Sequence, residues 1–597
     1  MHLGRFSRAL GLAAAVAVAL GACTVTEDQT APVPAPTVAE GARGGSATVA
    51  EVNALSTFNP NTADGNTDVN VKISYATHSG FFYLDNKLSV VRNEKFGTME
   101  KVSDNPLTVK YSIKEGVKWS DDTPVTAADL LLQWAAFSGY YDDAAPDGAT
   151  GTSYFSYAGD PTGLALTDFP ELGADGRSLT LKYARPYTDW ETVLGGPGVD
   201  IPAHVLARKA GLAGTKEFVE LLRSIPRGDA VNPQPANAQL TVMAGLWNTG
   251  FDSTSLPADV SLYLSNGPYI VRSVNENQTL TMIRNRDYNW GPEAKLDEIT
   301  VRYIGDAGAQ VQALQAGQAD IIAPQASNDT VDQLKALESE GVTVEVGRQL
   351  AYDHIDLNYS GPFAEKSVRE AFLKTVPRRE IVNRILKGLD PDPAPLDSQL
   401  FIPGQAPYSE SARSNGSSEY QEVDITAARK LLDGATPEVR IMYNKDNPNR
   451  VTTFTLIRES AGKAGFQVVD GGLGGSDWGK ALGKGGYDAA IFGWSNSGDG
   501  GSGVPQVFKS GNDSNFNGFS DPGADELMDE LIVTTDPSEQ DSLAQQIDRK
   551  VWESAYGLPL FQLVGVDAYS KRITGVKYMP NQTGVWWNFW EWSQKLS

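Results

Sequence analysis

A single cysteine, four histidines and the lack of any apolar run long enough to span a bilayer limit what this chain of 597 residues can be. One thiol, Cys23, cannot close an internal disulfide, so core burial alone must hold the fold. Only His78, His204 and His354 follow the first 23 residues, and neither an HExxH nor a paired-cysteine spacing occurs, which removes the common zinc patterns. Basic residues are outnumbered: 50 Lys+Arg against 74 Asp+Glu leave a formal charge of −24, with no block of Lys and Arg in the folded part. Such a surface repels a polyphosphate backbone, and nucleic acid is excluded as a partner. The run from Ala9 to Leu20 has roughly 12 residues where a spanning helix needs about 20.

The remaining composition is ordinary for a globular protein, with 41% hydrophobic residues, so neither disorder nor a fibrous repeat is indicated. At roughly 100 to 200 residues per domain the length implies about three to five compact units. Arg5 and Arg8 precede the apolar run, and Leu20-Gly21-Ala22-Cys23 follows it, in the pattern of a bacterial signal peptide (1–22) ending at a lipobox whose cysteine becomes lipidated. Residues 23–45 then form an anchor and a tether rich in Pro, Ala and Thr, and the globular part begins near Ser46.

From there short strands and helices alternate. LTVKYSI, Leu107 to Ile113, places Leu, Val, Tyr and Ile on one face, the period of a half-buried strand. Thr126, with Asp129 three residues later, has the form of a helix N-cap leading into Leu130, Leu131 and Trp134. A helix with Val311 and Leu314 stops at Gly317 and feeds the strand-like Ala319 to Ala323. The class is mixed α/β.

Several segments carry a family resemblance. The stretch Lys114 to Asp129 (KEGVKWSDDTPVTAAD) resembles the signature of the family 5 extracellular solute-binding proteins, the oligopeptide and dipeptide receptors of ABC importers. Asn266-Gly267-Pro268-Tyr269, Ala313 to Ile321 (ALQAGQADI), Ser367 to Ala371, Tyr487 to Ala490 and Gly493-Trp494 are similar to further family segments, in the same order. The resemblance implies a two-lobed, periplasmic-binding-protein-like clamshell of type II, cluster C, with an extra domain inserted in the first lobe. On that basis residues 46–80, 178–323 and 562–597 make lobe 1, residues 81–177 the inserted domain, and residues 324–561 lobe 2. The lobes should be joined near Ile321 to Gln325 and near Leu558 to Gly565.

Catalytic readings find less support. Ser460-Ala461-Gly462-Lys463 and Ser103-Asp104-Asn105 match fragments of serine penicillin-recognising enzymes, but in reversed order and without a KTG. Gly498 to Gly503 satisfies GxGxxG after the strand-like YDAAIFGW, yet Pro505 stands where a phosphate-binding helix would begin. A Gly-rich loop at the mouth of an interlobe cleft is the better reading, and neither a cofactor nor a metal is expected.

The resemblance also implies ligand contacts. Trp494 and its polar neighbours Ser495 and Asn496 stand at the strand end that meets ligand in relatives. Three residues after that Trp, peptide-binding relatives place an Asp that holds the ligand's α-ammonium; here the position is Ser497, and Asp499 lies two residues further on. Asn59, Tyr75 and His78 fall where the first lobe faces the cleft, with Gln325 and Tyr352 as further candidates. The aromatic run Trp586, Trp587, Phe589, Trp590 and Trp592 is expected to fill core. The expected protein is a monomeric, non-enzymatic receptor on the outer face of the cytoplasmic membrane. It is held there by lipid on Cys23 and passes a peptide or other small solute to an ABC permease. The alternative is an envelope lipoprotein of the same fold acting as regulator or scaffold in cell-wall glycolipid assembly.

Cys23→Ser should move the folded protein from the membrane fraction to the soluble fraction on cell fractionation. Retention of a folded Cys23→Ser chain in the membrane would refute the lipobox.

Overall fold

The computed structural model describes residues 43–144, 150–196, 200–474, 477–482, 484–495, 503–512 and 514–595. The signal peptide, Cys23 and most of the tether lie outside them. No helix among the described residues is long and apolar enough to cross a membrane.

Ten strands form one sheet, in the order Gln467–Leu473, Glu438–Asn444, Ala489–Ser495, Val342–Leu357, Gly557–Ser570, Ile321–Ile322, Ser46–Glu51, Glu298–Tyr303, Thr279–Arg284, Tyr269–Asn275. Each side of this sheet holds its own parallel group. Ser46–Glu51 runs parallel to Glu298–Tyr303 and Ile321–Ile322, while Glu438–Asn444 runs parallel to Gln467–Leu473 and Ala489–Ser495. Parallel strands need helical crossovers that cover both faces, so each group becomes the centre of an α/β body. The molecule is two-lobed. Between the bodies lie the antiparallel strands Val342–Leu357 and Gly557–Ser570, the only long ones in the sheet.

Those two strands are paired from Val342↔Ser570 to Arg348↔Val564 and again from Tyr352↔Gln562 to Asp356↔Gly557, with the register broken between. The first half sits beside Ile321–Ile322, the second beside Ala489–Ser495. The chain therefore passes from one lobe to the other at residues 349–351, not at Ile321 to Gln325 as expected from sequence. Beyond Ile322 the helix Asn328–Ala336 still packs on Ala307–Gln315 of the first lobe. Length explains the difference. A two-residue strand serves one lobe, whereas 16 residues at about 3.3 Å each can serve both.

A second sheet, ordered Gly97–Asp104, Leu107–Ile113, Ser178–Lys182, Glu171–Leu172, forms a smaller body. The chain enters it after Ser46–Glu51 and returns to Tyr269–Asn275, both first-lobe strands. Its helix Ala127–Phe137 is buried at every position and begins in a capping box: Thr126 Oγ1 accepts from the Ala128 N–H, and Asp129 Oδ2 accepts from the Thr126 N–H at 2.7 Å. The boundary expected at residue 177 cuts this sheet, because Ser178–Lys182 pairs with Leu107–Ile113 over five residues. The same core also takes Leu206, Phe218, Leu240 and Trp247 from helices further on. The smaller body thus extends well past 177. An alternating segment such as SLTLK shows that it is a strand but not which sheet it joins. Trp586, Phe589 and Trp592 fill the first-lobe core beside Tyr269 and Val301, as expected.

One face of the sheet is apolar across both lobes, from Ala50, Ile322 and Ala568 to Ile355 and Ile441. One residue along from the row Ala50, Ile322, Ala568, Val344, the opposite face carries Glu51, Asp567 and Glu345. Lys72 Nζ lies 2.7 Å from Glu51 Oε2, and Trp586 Nε1 donates to Glu51 Oε1 at 2.7 Å. Burial opposes the charge of Lys72, but Glu51 and Asp68 outweigh it and hold the amine above its usual range. Glu345 accepts from Tyr569 Oη at 3.2 Å and from the Tyr578 N–H at 3.0 Å. Asp567 is left with a buried oxygen that has no partner among the described residues. Burial, then Glu345 and Glu51, push its carboxyl up to about 7, with Lys72 opposing.

The folded chain therefore holds a proton on Asp567 between about pH 4 and pH 7 that the unfolded chain releases. In that window the folded state binds more protons, so stability falls as pH rises, by on the order of 4 kcal/mol in all. Asp567→Asn removes this dependence. Its melting temperature relative to the parent should be higher at pH 8 than at pH 5, measured by calorimetry; a difference that does not change with pH would contradict it.

Candidate functional site

In open α/β sheets ligands settle beyond the carboxyl ends of parallel strands. Here those ends are Glu51, Tyr303 and Ile322 in one lobe and Asn444, Leu473 and Ser495 in the other. The strand Ala489–Ser495 carries Trp494 to the second of these places. Its antiparallel neighbour sets Tyr352 directly opposite Trp494 and His354 opposite Phe492, so all four rings share one face. Trp494 lies parallel to Phe516, with centroids 5.8 Å apart and 4° between planes, and meets Phe492 edge-on at 5.3 Å. His354 meets Phe492 at 4.2 Å and is parallel to Trp494 at 6.3 Å.

Tyr352 is buried among Leu396, Ile402 and Leu350, and donates its hydroxyl to the Gln399 carbonyl at 3.0 Å. Burial raises its phenol well above the ordinary range, so it stays protonated. His354 is 1% exposed, with Nε2 3.3 Å from Asp356 Oδ2, which in turn accepts from Tyr556 Oη at 3.2 Å. Trp494 is only half-buried, yet its Nε1 is enclosed and has no partner among the described residues. An indole N–H shielded from water without an acceptor is costly.

The other face of the same strand end is charged. Arg450, in the first turn of helix Pro448–Ala464, reaches Asp353 at 3.1 and 3.4 Å and lies over Trp478 at 5.2 Å. Gly493 makes room for that pair, since a Cβ there would stand 2.9 Å from Asp353 Oδ1. Among the described residues no group of three or more His, Cys, Asp or Glu side chains is placed to hold a metal.

The other residues singled out from sequence are distributed differently. Ser495 pairs by backbone with Ala351, while Asn496, Ser497 and Asp499 lie outside the described residues. Asn59 is 1% exposed and fully engaged: Nδ2 donates to the Trp247 carbonyl of helix Ala238–Thr249 at 2.8 Å, and within its own loop Oδ1 accepts from the Asn61 N–H and Nδ2. It shapes a turn and has no free edge to offer a ligand. His78 is likewise internal, with Nε2 3.1 Å from the Leu264 carbonyl and Nδ1 3.1 Å from the Ser74 carbonyl. Tyr75 donates to the Trp587 carbonyl at 2.9 Å. Tyr75 and His78 do border one cavity, with Tyr83, Tyr288 and Trp590, but its volume of about 30 Å³ is water-sized. Gln325 is exposed, just past Ile321–Ile322.

The structure thus brings together Tyr352 and Trp494, and separately Tyr75 and His78. Phe492 and His354 were missed, although the alternation in YDAAIFGW and AYDHIDL puts them on the face of Trp494 and Tyr352. Phe516, Arg450 and Trp478 arrive from distant segments and leave no local signal.

Comparison with known proteins agrees with this architecture. The family model described as bacterial extracellular solute-binding proteins, family 5 Middle, matches residues 94–516. The oligopeptide-binding protein OppA of Mycobacterium tuberculosis (strain ATCC 25618 / H37Rv) is 25% identical over 499 residues, 80% of this chain and 73% of that protein. A lipoprotein of the same organism, uncharacterized by its printed name, is 26% identical over 553 residues, 90% of this chain and 91% of that one. Among solved structures, the periplasmic EDTA-binding protein EppA superposes with a TM-score of 0.77 at 20% identity, covering 93% of this chain and 98% of its own. The fold is that of the two-lobed binding proteins, and the chain belongs to the bacterial extracellular solute-binding proteins of family 5.

Proposed function

We propose that this chain is the receptor of an ABC importer, held to the outer face of the cytoplasmic membrane through lipid on Cys23, that closes its lobes on a peptide or similar solute and delivers it to the permease. The observation that carries this reading is the aromatic platform of Trp494 and Phe516 at the carboxyl end of a second-lobe strand, on a body joined to the first lobe by two hinge strands. The relative OppA is by name an oligopeptide-binding protein, and another relative, matched over 90% of this chain, is named a lipoprotein, which supports both solute class and envelope location.

Such a receptor needs no bond-making chemistry, and proteins of this family are not enzymes. Solute contacts both lobes only when they are closed, so its binding shifts an open–closed equilibrium set by the hinge at residues 349–351. An extended peptide suits an exposed strand end because its main chain offers hydrogen bonds whatever its side chains. Trp494, half-buried, supplies apolar contact through its ring.

The charge of the solute turns on residues 497 and 499. With Ser497 in the place where peptide-binding relatives have Asp, a free amino terminus requires Asp499 as its carboxylate. Trp494→Ala should weaken any solute. For a peptide with a free amino terminus, Asp499→Asn should cost roughly 1.5 to 3 kcal/mol, the range of a hydrogen bond to a charged group. For an uncharged saccharide it should cost little. Calorimetry of both variants against a mixed peptide library and against cell-wall saccharides separates these cases, and a parent protein that binds neither pool would refute the receptor.

A further inference from the structure

Helix Pro522–Leu531 ends with two neighbouring residues that belong to different cores. Leu531 is buried in the second-lobe cluster with Met528 and Ile547. Ile532, 4% exposed, is buried in the core of the smaller body, the cluster of Trp134, Leu179 and Tyr187, and Val533 packs against the same cluster. The second lobe thus inserts an apolar corner into a body whose chain begins and ends in the first lobe.

Hydrogen bonds hold the corner in place. The Thr188 N–H donates to the Ile532 carbonyl at 3.2 Å. Gln540, in the first turn of helix Pro537–Glu553, donates through Nε2 to Thr188 Oγ1 and to the Thr534 carbonyl. The receiving loop is itself braced: Tyr187 is parallel to Tyr183, Glu191 is paired with Arg92, and Arg92 and Lys101 lie over the Trp190 ring. Neither the hinge strands nor the aromatic platform takes part in these contacts.

We propose that Ile532, Val533, Thr188 and Gln540 form a clasp that holds the second lobe to the smaller body without any solute. The lobes are then tied at two places, the paired hinge strands with the apolar face they share and this separate contact, which can open and close. Because apparent affinity scales with the fraction of chains already in the binding-competent form, the clasp sets how tightly any solute is held and how readily it is released. A permease that engaged both bodies would open the receptor by prying Ile532 out.

Hydrogen exchange followed by mass spectrometry, on the purified full chain with no solute added, tests this. In the parent, the peptide spanning residues 187–192 should be protected. Ile532→Ser should speed its exchange about tenfold, the effect of losing most of one buried isoleucine side chain, and should leave Leu107–Ile113 unchanged. Small-angle scattering of the same variant should give a larger radius of gyration. Unchanged exchange would overturn the clasp, and so would faster exchange with an unchanged radius, since the contact would then hold nothing closed. If Ile532→Ser loosens Leu107–Ile113 as well, the milder Gln540→Ala decides: exchange at residues 187–192 about threefold faster with an enlarged radius supports the clasp, and no change overturns it. No solute enters the experiment, so its failure leaves the receptor function standing.

Discussion

Everything in this molecule depends on the pairing of Val342–Leu357 with Gly557–Ser570. Without it the chain would hold two α/β bodies, each with its own parallel strands, and no continuous sheet to join them. Sharing one pair of strands makes a single ten-stranded sheet of both. The broken register at residues 349–351 is the place where that continuity gives: backbone hydrogen bonds hold on either side, while the residues between have no partner on Gly557–Ser570 and can absorb a change of dihedral angle. Two facing glycines, Gly347 and Gly565, stand just before the break. Side chains there would collide with the Tyr578 ring and with Gln349, so the absence of Cβ lets the hinge be covered closely.

The same strands carry an electrostatic cost. Glu345 and Asp567 are directly opposite, and Glu51 stands in the same row on a third strand, with one ammonium, Lys72, to serve them. Like charges opposite each other in a sheet are destabilising, and burial multiplies the effect. Glu51 is neutralised by Lys72, Glu345 is solvated by a hydroxyl and a backbone N–H, and Asp567 holds its proton up to about pH 7. An apolar row would have been more stable. Retaining a titratable one at the hinge makes the joint between the lobes sensitive to the acidity of the surroundings.

What could be read from sequence follows from how far each determinant reaches. The capping box of Thr126 and Asp129 was legible because its two hydrogen bonds lie within three residues, and the strand LTVKYSI because its period is internal. The two-lobed class was legible through a resemblance spread over the whole chain. Boundaries were not. Ser178–Lys182 was placed in the wrong body and the lobe crossing some way too early, since pairing partners are chosen by distant segments. Asn59 and His78 were chosen for their positions in a loop, but such positions show neither burial nor which carbonyls lie within hydrogen-bond reach. Trp494 and Tyr352 proved to be cross-strand neighbours, which neither one's own segment could have shown.

Family membership narrows the solute much less than it narrows the fold. The oligopeptide-binding relative and the structural neighbour named for EDTA, a polycarboxylate, share the fold and are named for chemically different solutes. Selection must then rest on the few groups at the strand ends, and in this chain the strand end at Trp494 is balanced rather than cationic or anionic. Arg450 is neutralised by Asp353 on one face, and the other face is aromatic. A wall of that kind rewards ring contact but supplies no net charge of its own. Charge recognition, where it operates, must come from the polar residues that follow Trp494 or from the opposite lobe.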